Sequence, residues 1–349
     1  MLLPNPRPPV RKLAVVGLAK NTGKTQTLRY ILGQSRGEFP VGVTSIGRDG
    51  ERYDVIDPAI GKPAIALAAG DLVATTGPLL REVPARVLVR TGHRTPLGSV
   101  VIGKLISDST VVVAGPGTMA GVAAVADAML DAGARQVLID GAIDRRAAAS
   151  PAVSDGVVVA TGAVLSREID EVAARTKDAV DLLTLPPVAD PAVRRMAGRA
   201  AGSALLTKGG TLVPIPPRLA LGGDAQAGSL FRQHRGATHL VLGGALGDPL
   251  LDELLRLPSH DLPTLVVKDG AKVLLRRHTV AWCRRRGLRI EVLRPTKLLA
   301  ITVNPVAPQS HRFDSDELRS RIRELVPGLP VCDVLAPDFG DENIKEWKT

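Results

Sequence analysis

The stretch that decides the fold is residues 12–25, which read Lys-Leu-Ala-Val-Val-Gly-Leu-Ala-Lys-Asn-Thr-Gly-Lys-Thr. The apolar run at 13–16 predicts a buried strand, and the pattern after it predicts a helix over 23–34. A strand, a loop of small residues and a helix in this order bring backbone N–H groups and the positive end of a helix dipole together. The stretch therefore predicts a phosphate-binding loop on a mainly parallel α/β sheet.

The residue types in this loop match the needs of a bound nucleoside triphosphate. Small residues let backbone N–H groups surround the β-phosphate, a lysine reaches the β- and γ-oxygens, and a hydroxyl binds Mg²⁺. We therefore expect ATP and Mg²⁺ as cofactors, Lys24 as a catalytic residue and Thr25 as a metal ligand. The predicted nucleotide-binding residues are Gly17, Asn21, Thr22, Gly23, Lys24, Thr25 and Gln26. The alternative is a glycine-bearing strand–helix turn that happens to contain Lys24.

Two further stretches offer carboxylates for the metal. Asp140 ends the apolar run 137–139, at the edge of a parallel sheet where ligands bind, and it resembles the Walker B carboxylate. Asp49 follows the strand predicted over 40–46. We expect both residues to be catalytic and to ligate Mg²⁺ together with Thr25. The alternatives are a helix N-cap for Asp140 and a polar turn for Asp49.

The length of 349 residues predicts about two domains. Short β-branched runs alternate with Ala- and Leu-rich helical stretches, which predicts a phosphate-loop NTPase domain over 10–185. Two adjacent apolar strands at 84–91 and 98–105 predict a β-hairpin insert. After a proline-rich passage at 183–202 the alternation resumes, and it predicts a second, smaller α/β domain over 200–337 that could dock a client or partner.

Composition limits the classes of partner. The net charge of +10 favours an anionic partner, but its arginines are spread along the chain and aromatic residues make up only 2%. Nucleic acid is therefore not expected, since single strands need stacking platforms. Two cysteines without metal-binding spacing fit a reducing cytoplasm, and no membrane segment is predicted. The composition does not decide whether the chain forms a homo-oligomer.

The loop resembles a known variant of the phosphate-loop pattern. The strict pattern needs its first glycine at Leu18, whereas this chain has Gly17, five residues before Gly23-Lys24-Thr25. That spacing resembles dethiobiotin synthetase and its relatives, a class that includes ATP-dependent amide ligases and MinD-type ATPases. Relatives of this class read the base where Thr161-Gly162-Ala163 lies. The sequence shows no guanine-binding signature, which favours ATP over GTP.

A second resemblance covers most of residues 10–185. The runs Ser-Ile-Gly-Arg-Asp-Gly-Glu (45–51) and Val-Leu-Ile-Asp-Gly-Ala-Ile-Asp-Arg-Arg (137–146) resemble the phosphate-loop subunit of the reactivating factor for adenosylcobalamin-dependent lysine 5,6-aminomutase. The resemblance implies an ATPase that acts as a chaperone and releases damaged cobalamin, with a MutS-like ATPase subunit and the aminomutase client as partners.

The alternative function is an ATP-dependent ligase or kinase of the dethiobiotin-synthetase type that acts on a small carboxylate. In that case Asp49 and the loop Gly115-Pro116-Gly117-Thr118, which precedes an Ala-rich helix, would hold the acceptor. The simpler alternative for this loop is a tight turn between a strand and a helix.

Overall fold

The computed structural model describes residues 10–47, 64–142, 148–216, 233–234, 236–308 and 311–336. The chain divides into two compact units. The first unit comprises residues 1–176 and 297–349, and the second comprises residues 177–296. The second unit is therefore inserted between two segments of the first.

The elements are numbered here in chain order. The segment before the insertion contains β1 (Lys12–Gly17), α1 (Lys24–Ser35), β2 (Val41–Ser45), β3 (Ala64–Leu67), β4 (Leu72–Thr76), α2 (Gly77–Leu80), β5 (Ala85–Thr95), β6 (Gly98–Leu105), β7 (Ser109–Val112), α3 (Met119–Asp131), β8 (Gln136–Ala142), β9 (Gly156–Gly162) and α4 (Ile169–Leu183). The inserted unit contains α5 (Pro191–Gly198), β10 (Ala204–Thr207), β11 (Leu212–Pro214), β12 (Ala237–Val241), β13 (Leu246–Gly247), α6 (Asp248–Leu254), β14 (Thr264–Val267), β15 (Val273–Leu274), α7 (Val280–Arg285) and β16 (Ile290–Val292). The last segment contains β17 (Leu298–Asn304), α8 (Ser315–Leu325) and β18 (Val331–Cys332).

The first unit is built on a nine-stranded sheet in the order β18-β17-β9-β1-β8-β2-β4-β6-β5. The strands from β18 to β4 are parallel, and β6 pairs antiparallel with both β4 and β5. The expected mixed α/β architecture with a mainly parallel sheet is therefore confirmed. The predicted hairpin is present as β5 and β6, at one edge of the sheet.

Strand β1 lies in the middle of this sheet because its side chains are buried on both faces. Leu13, Ala14, Val15 and Val16 are all at most 2% exposed, and they pack with apolar residues of α1 and the neighbouring strands. Strands β8 and β9 flank β1 on its two sides. The carboxyl ends of three parallel strands thus meet where the chain leaves β1, which is the edge at which open α/β sheets bind ligands.

The last segment differs from the domain boundaries expected from the sequence. The sequence pattern predicts that residues 298–335 belong to the second domain at 200–337, whereas β17 pairs with β9 and β18 pairs with β17 in the first sheet. Ala300 and Cys332 pack in the same core as β1. An apolar run such as 299–303 predicts a buried parallel strand but does not tell which sheet receives it.

The second unit has its own five-stranded sheet in the order β11-β10-β12-β14-β16. Strands β12, β14 and β16 are parallel, and β10 is antiparallel to its neighbours. Leucines fill its core, among them Leu205, Leu240, Leu251 and Leu265, which are at most 1% exposed. Over the described part of both units, no helix is long and apolar enough to span a bilayer.

Candidate functional site

The loop between β1 and α1 has the backbone shape of an anion cradle. Gly23 (φ 86°) and Asn21 (φ 64°) both adopt the left-handed conformation, and Asn21 is the one non-glycine residue with positive φ in the described chain. Thr22 Oγ1 donates a 3.0 Å hydrogen bond to the carbonyl of Ala19 inside the loop. A Cβ on Gly17 would lie 2.7 Å from Thr22 Oγ1, so Gly17 is needed for the close approach of these two segments.

Helix α1 begins at Lys24 without a cap of its own. Among the described residues no side chain accepts a hydrogen bond at its N-terminus, and its first turn contains no acidic residue. The first hydrogen bond of the helix at this end is donated by Thr27 N to Gly23 O, at 2.9 Å. The N–H groups of residues 24–26 are thus the free donors at the positive end of the helix, which suits an anionic ligand.

Lys24 and Asp140 meet in front of this helix. Lys24 Nζ lies 2.8 Å from Asp140 Oδ1, and the two side chains are 25% and 21% exposed. Strand β8 brings Asp140 there because Val15 of β1 and Asp140 are register partners. Asp140 Oδ1 is itself buried, and among the described residues the Lys24 ammonium is the group that lies against it. The two side chains therefore form an ion pair.

Of the remaining predicted site residues, some lie at the start of α1 and others lie outside the described residues. Thr25 and Gln26 lie in the first turn of α1, directly after Lys24. Asp49 lies outside the described residues, so its role as a second metal ligand stays a prediction. The N-cap alternative for Asp140 depends on residues 143–147, which also lie outside. No group of three or more His, Cys, Asp or Glu side chains suited to a metal ion occurs in the described part of the chain.

Asn304 is a residue of this site that sequence reasoning missed. Asn304 ends β17, and its Nδ2 donates a 2.8 Å hydrogen bond to the carbonyl of Asn21 in the loop. A Cβ on Gly23 would lie 3.1 Å from Asn304 Cβ, and a Cβ on Gly162 would lie 2.1 Å from Asn304 O. The ends of β9 and β17 therefore form one wall of the loop. The one sequence signal for Asn304 is an apolar run that ends in Asn-Pro, and this run lies far from the loop along the chain.

A second C-terminal residue holds the segment where a base-reading role was expected. His311 Nε2 lies 2.9 Å from Ala163 O and 3.0 Å from Ser166 O. Because both partners are carbonyl oxygens, Nε2 is the ring nitrogen that carries a hydrogen and donates. Phe313 packs edge-on against the His311 ring, with 5.2 Å between centroids. The segment after β9 is thus fixed by side chains that follow β17.

The loop Gly115-Pro116-Gly117-Thr118 packs against the carboxyl end of β2. Gly115 N donates to Ser45 Oγ at 3.1 Å, and Gly47 N donates to Pro116 O at 2.8 Å. A Cβ on Gly115 would lie 2.0 Å from Ser45 O, so only glycine fits. Helix α3 does begin after this loop, and the Thr118 hydroxyl already accepts the N–H of Gly121.

Comparison of the chain with protein-family models, with curated proteins and with solved structures found no match. The function therefore has to be argued from the chemistry of the site.

Proposed function

We propose that this chain binds ATP with Mg²⁺ at the loop 17–26 and hydrolyses it. The observation that carries the proposal is the contact of Lys24 Nζ with Asp140 Oδ1 in front of the uncapped N-terminus of α1. A lysine at the first position of a helix is disfavoured by the helix dipole. Its presence there, beside free N–H donors, is explained by an anion that both groups bind.

The donor set suits both parts of the cofactor. The N–H groups of residues 24–26 and the Lys24 ammonium would hold phosphate oxygens. The Thr25 hydroxyl and the Asp140 carboxylate are oxygen ligands of the kind that Mg²⁺ prefers, and the buried Asp140 Oδ1 has lone pairs to spare. When bound, the Mg–ATP complex supplies a phosphoanhydride bond whose cleavage releases free energy.

Each residue then has a defined task. With a nucleotide bound, the Lys24 ammonium would pair with the β- and γ-phosphate oxygens and would offset the negative charge there. The Asp140 carboxylate would then be left to hold the metal ion beside the phosphates. Asn304 holds the loop through Asn21, so the N–H donors are in place before the nucleotide arrives.

We further propose that hydrolysis drives work on a protein client. The resemblance of residues 45–51 and 137–146 supports a reactivating chaperone for an adenosylcobalamin-dependent aminomutase, with a MutS-like ATPase subunit as partner. The inserted second unit, which has a core of its own, provides a surface for such a partner.

A second candidate is an ATP-dependent ligase or kinase that acts on a small carboxylate. It is favoured by the loop 115–118, which Ser45 Oγ fixes at the same sheet edge as Asp140. Thr44 Oγ1 next to it is buried and has no hydrogen-bond partner in the described chain.

The nucleotide site is tested by equilibrium binding of ATP with Mg²⁺ to Lys24→Ala, with Lys104→Ala as the control. Lys104 is an exposed lysine of β6. We expect Lys24→Ala to bind ATP about 10- to 100-fold more weakly, because charge-assisted hydrogen bonds are worth about 1.5–3 kcal/mol each. Lys104→Ala should bind like the unmodified protein. Equal affinity in the two variants would show that the loop is not the site.

The chaperone role is tested by ATP turnover of the chain alone and with an inactivated cobalamin-dependent aminomutase and its MutS-like subunit. We expect slow basal turnover that rises when the client is added. Turnover that responds instead to a small carboxylic acid would favour the ligase or kinase.

A further inference from the structure

The positive charge of the chain is concentrated in the inserted unit. Residues 177–296 contain 18 Lys and Arg against 10 Asp and Glu, a net charge of +8 out of the +10 of the whole chain. The first unit is thus close to neutral. This distribution differs from the even spread expected from the sequence, and it directs attention to one surface.

Most of this excess lies in one acid-free stretch. Residues 270–290 contain no Asp or Glu and seven basic residues. These are Lys272, Arg276, Arg277, Arg284, Arg285, Arg286 and Arg289, and all six arginines are exposed. Arg284 and Arg285 end helix α7 and Arg286 is its C-cap, where they complement the helix dipole. That effect leaves their guanidinium N–H donors available for another ligand.

The Asp252 carboxylate is already paired with residues of this stretch. Asp252 Oδ1 lies 2.7 Å from His278 Nε2, and Asp252 Oδ2 pairs with Arg277. The hydrogen bond from His278, together with that from Arg277, holds the pKa of Asp252 below its ordinary value. Asp252 therefore neutralises one end of the stretch. In the described chain, Arg284, Arg285 and Arg289 have no ion pair.

A cavity of about 340 Å³ adjoins these arginines. It is lined by Leu255, Leu257, Ser259, Leu262, Arg285 and Arg286. The three leucines are partly exposed and belong to the margin of the core of this unit. The exposed lining is more polar than apolar, with two guanidinium groups beside the margins of the three leucines, so the site fits a ligand that is mainly anionic and carries an apolar group.

Nucleic acid fits this site less well. Trp282 is the one aromatic ring in the stretch, and it stacks on His278 at 4.3 Å and carries Arg286 over its ring at 5.9 Å. A base could stack on Trp282 only by displacing one of these partners. A sugar–phosphate backbone also has no apolar group for a leucine-lined cavity.

We propose that Arg284, Arg285, Arg286 and the adjoining cavity form a basic surface that binds an acidic segment of a partner protein. Carboxylates of the segment pair with the guanidinium groups, and an apolar side chain of the segment enters between Leu255, Leu257 and Leu262. The proposal concerns the second unit only, and it does not depend on nucleotide binding by the first.

The experiment measures binding of fluorescein-labelled probes to the full chain by anisotropy. The first probe is a 16-residue peptide of Glu and Asp with Leu at every fourth position, and the second has Ser in place of each Leu. The third probe is a 20-base-pair DNA duplex. The variants are R285E/R286E and the control R195E/R199E, which reverses two exposed arginines of the same unit with the same change in charge.

We expect the leucine-bearing peptide to bind more tightly than the serine peptide and the duplex. The variant R285E/R286E should bind the leucine-bearing peptide about tenfold or more weakly, because it loses charge pairs at the interface. The control R195E/R199E should bind this peptide with little change in affinity. Tighter binding of the duplex, lost in R285E/R286E, would identify a nucleic-acid surface and overturn the proposal. Equal loss in the control variant, or no binding of the peptide, would overturn it as well.

Discussion

Asn304 donates a hydrogen bond of 2.8 Å from its Nδ2 to the carbonyl of Asn21. The donor ends strand β17, after the inserted unit, and the acceptor lies in the loop between β1 and α1 near the start of the chain. Asn21 is also the one non-glycine residue of the described chain with a positive φ. A backbone conformation of this kind persists only where contacts with neighbouring residues stabilise it. The last segment of the chain thus fixes the shape of the loop.

Replacing Asn304 by Ala should therefore weaken nucleotide binding without unfolding the protein. We expect ATP affinity to fall about 2- to 12-fold, because one net hydrogen bond is worth about 0.5–1.5 kcal/mol. Asn304→Asp keeps the size but removes the donor, and it should show at least the same loss. The measurement is ATP binding by calorimetry together with the melting temperature. Full affinity in both variants would contradict a positioning role for Asn304.

Asp140→Asn should separate metal use from phosphate binding. The variant keeps the shape of the side chain but loses the charge that suits Mg²⁺. We expect ATP to bind still, because Lys24 and the N–H donors remain, whereas turnover should fall by about two orders of magnitude or more and no longer respond to Mg²⁺. The control is Asp127→Asn, which removes an exposed partner of Lys12. Unchanged Mg²⁺ dependence in Asp140→Asn would rule out Asp140 as the ligand.

Gly162→Ala should destabilise the first unit. The added Cβ would lie 2.1 Å from Asn304 O, so β9 and β17 would have to separate. We expect the free energy of unfolding to fall by about 1–3 kcal/mol, as for other overpacked sites. Gly33→Ala is the matched control, since its Cβ meets nothing within 4 Å inside α1, and it should stabilise the helix by about 0.5–1 kcal/mol. Urea titration of both variants checks the difference in sign.

Cys283 should be inert in the native protein. Burial raises the pKa of its thiol to about 11, and the side chain is 0% exposed. Because the unfolded thiol ionises near pH 9, the native state holds the extra proton between pH 9 and 11, and stability should fall as the pH rises through that range. We expect no reaction of Cys283 with a thiol reagent at pH 8 and full reaction in urea. Rapid labelling of the native protein at Cys283 would contradict this burial.

The sequence predicts strand β1, the turn and helix α1 because their determinants are adjacent: an apolar run, small residues and a helical pattern, and the structure has this order. The apolar run that ends in Asp140 likewise predicts a strand there, whereas the pairing of that strand with β1 and the contact of Asp140 with Lys24 are seen only in the structure. Asn304 and the place of β17 could not be predicted in this way. Their positions depend on pairing between segments that lie far apart in the sequence. Many apolar runs of this chain could form the strand next to β9, and the local pattern does not show which of them does so.

The insertion has a consequence for synthesis of the chain on the ribosome. Strand β9 emerges with both faces apolar, but its neighbour β17 follows only after the 120 residues of the second unit, which takes roughly 10 s at rates of about 5–20 residues per second. During that interval one edge of β9 has no strand to pair with, and such edges favour aggregation. The unit encoded in the middle of the chain is therefore complete before the unit that surrounds it, and a cell that makes this protein has to protect an unfinished sheet.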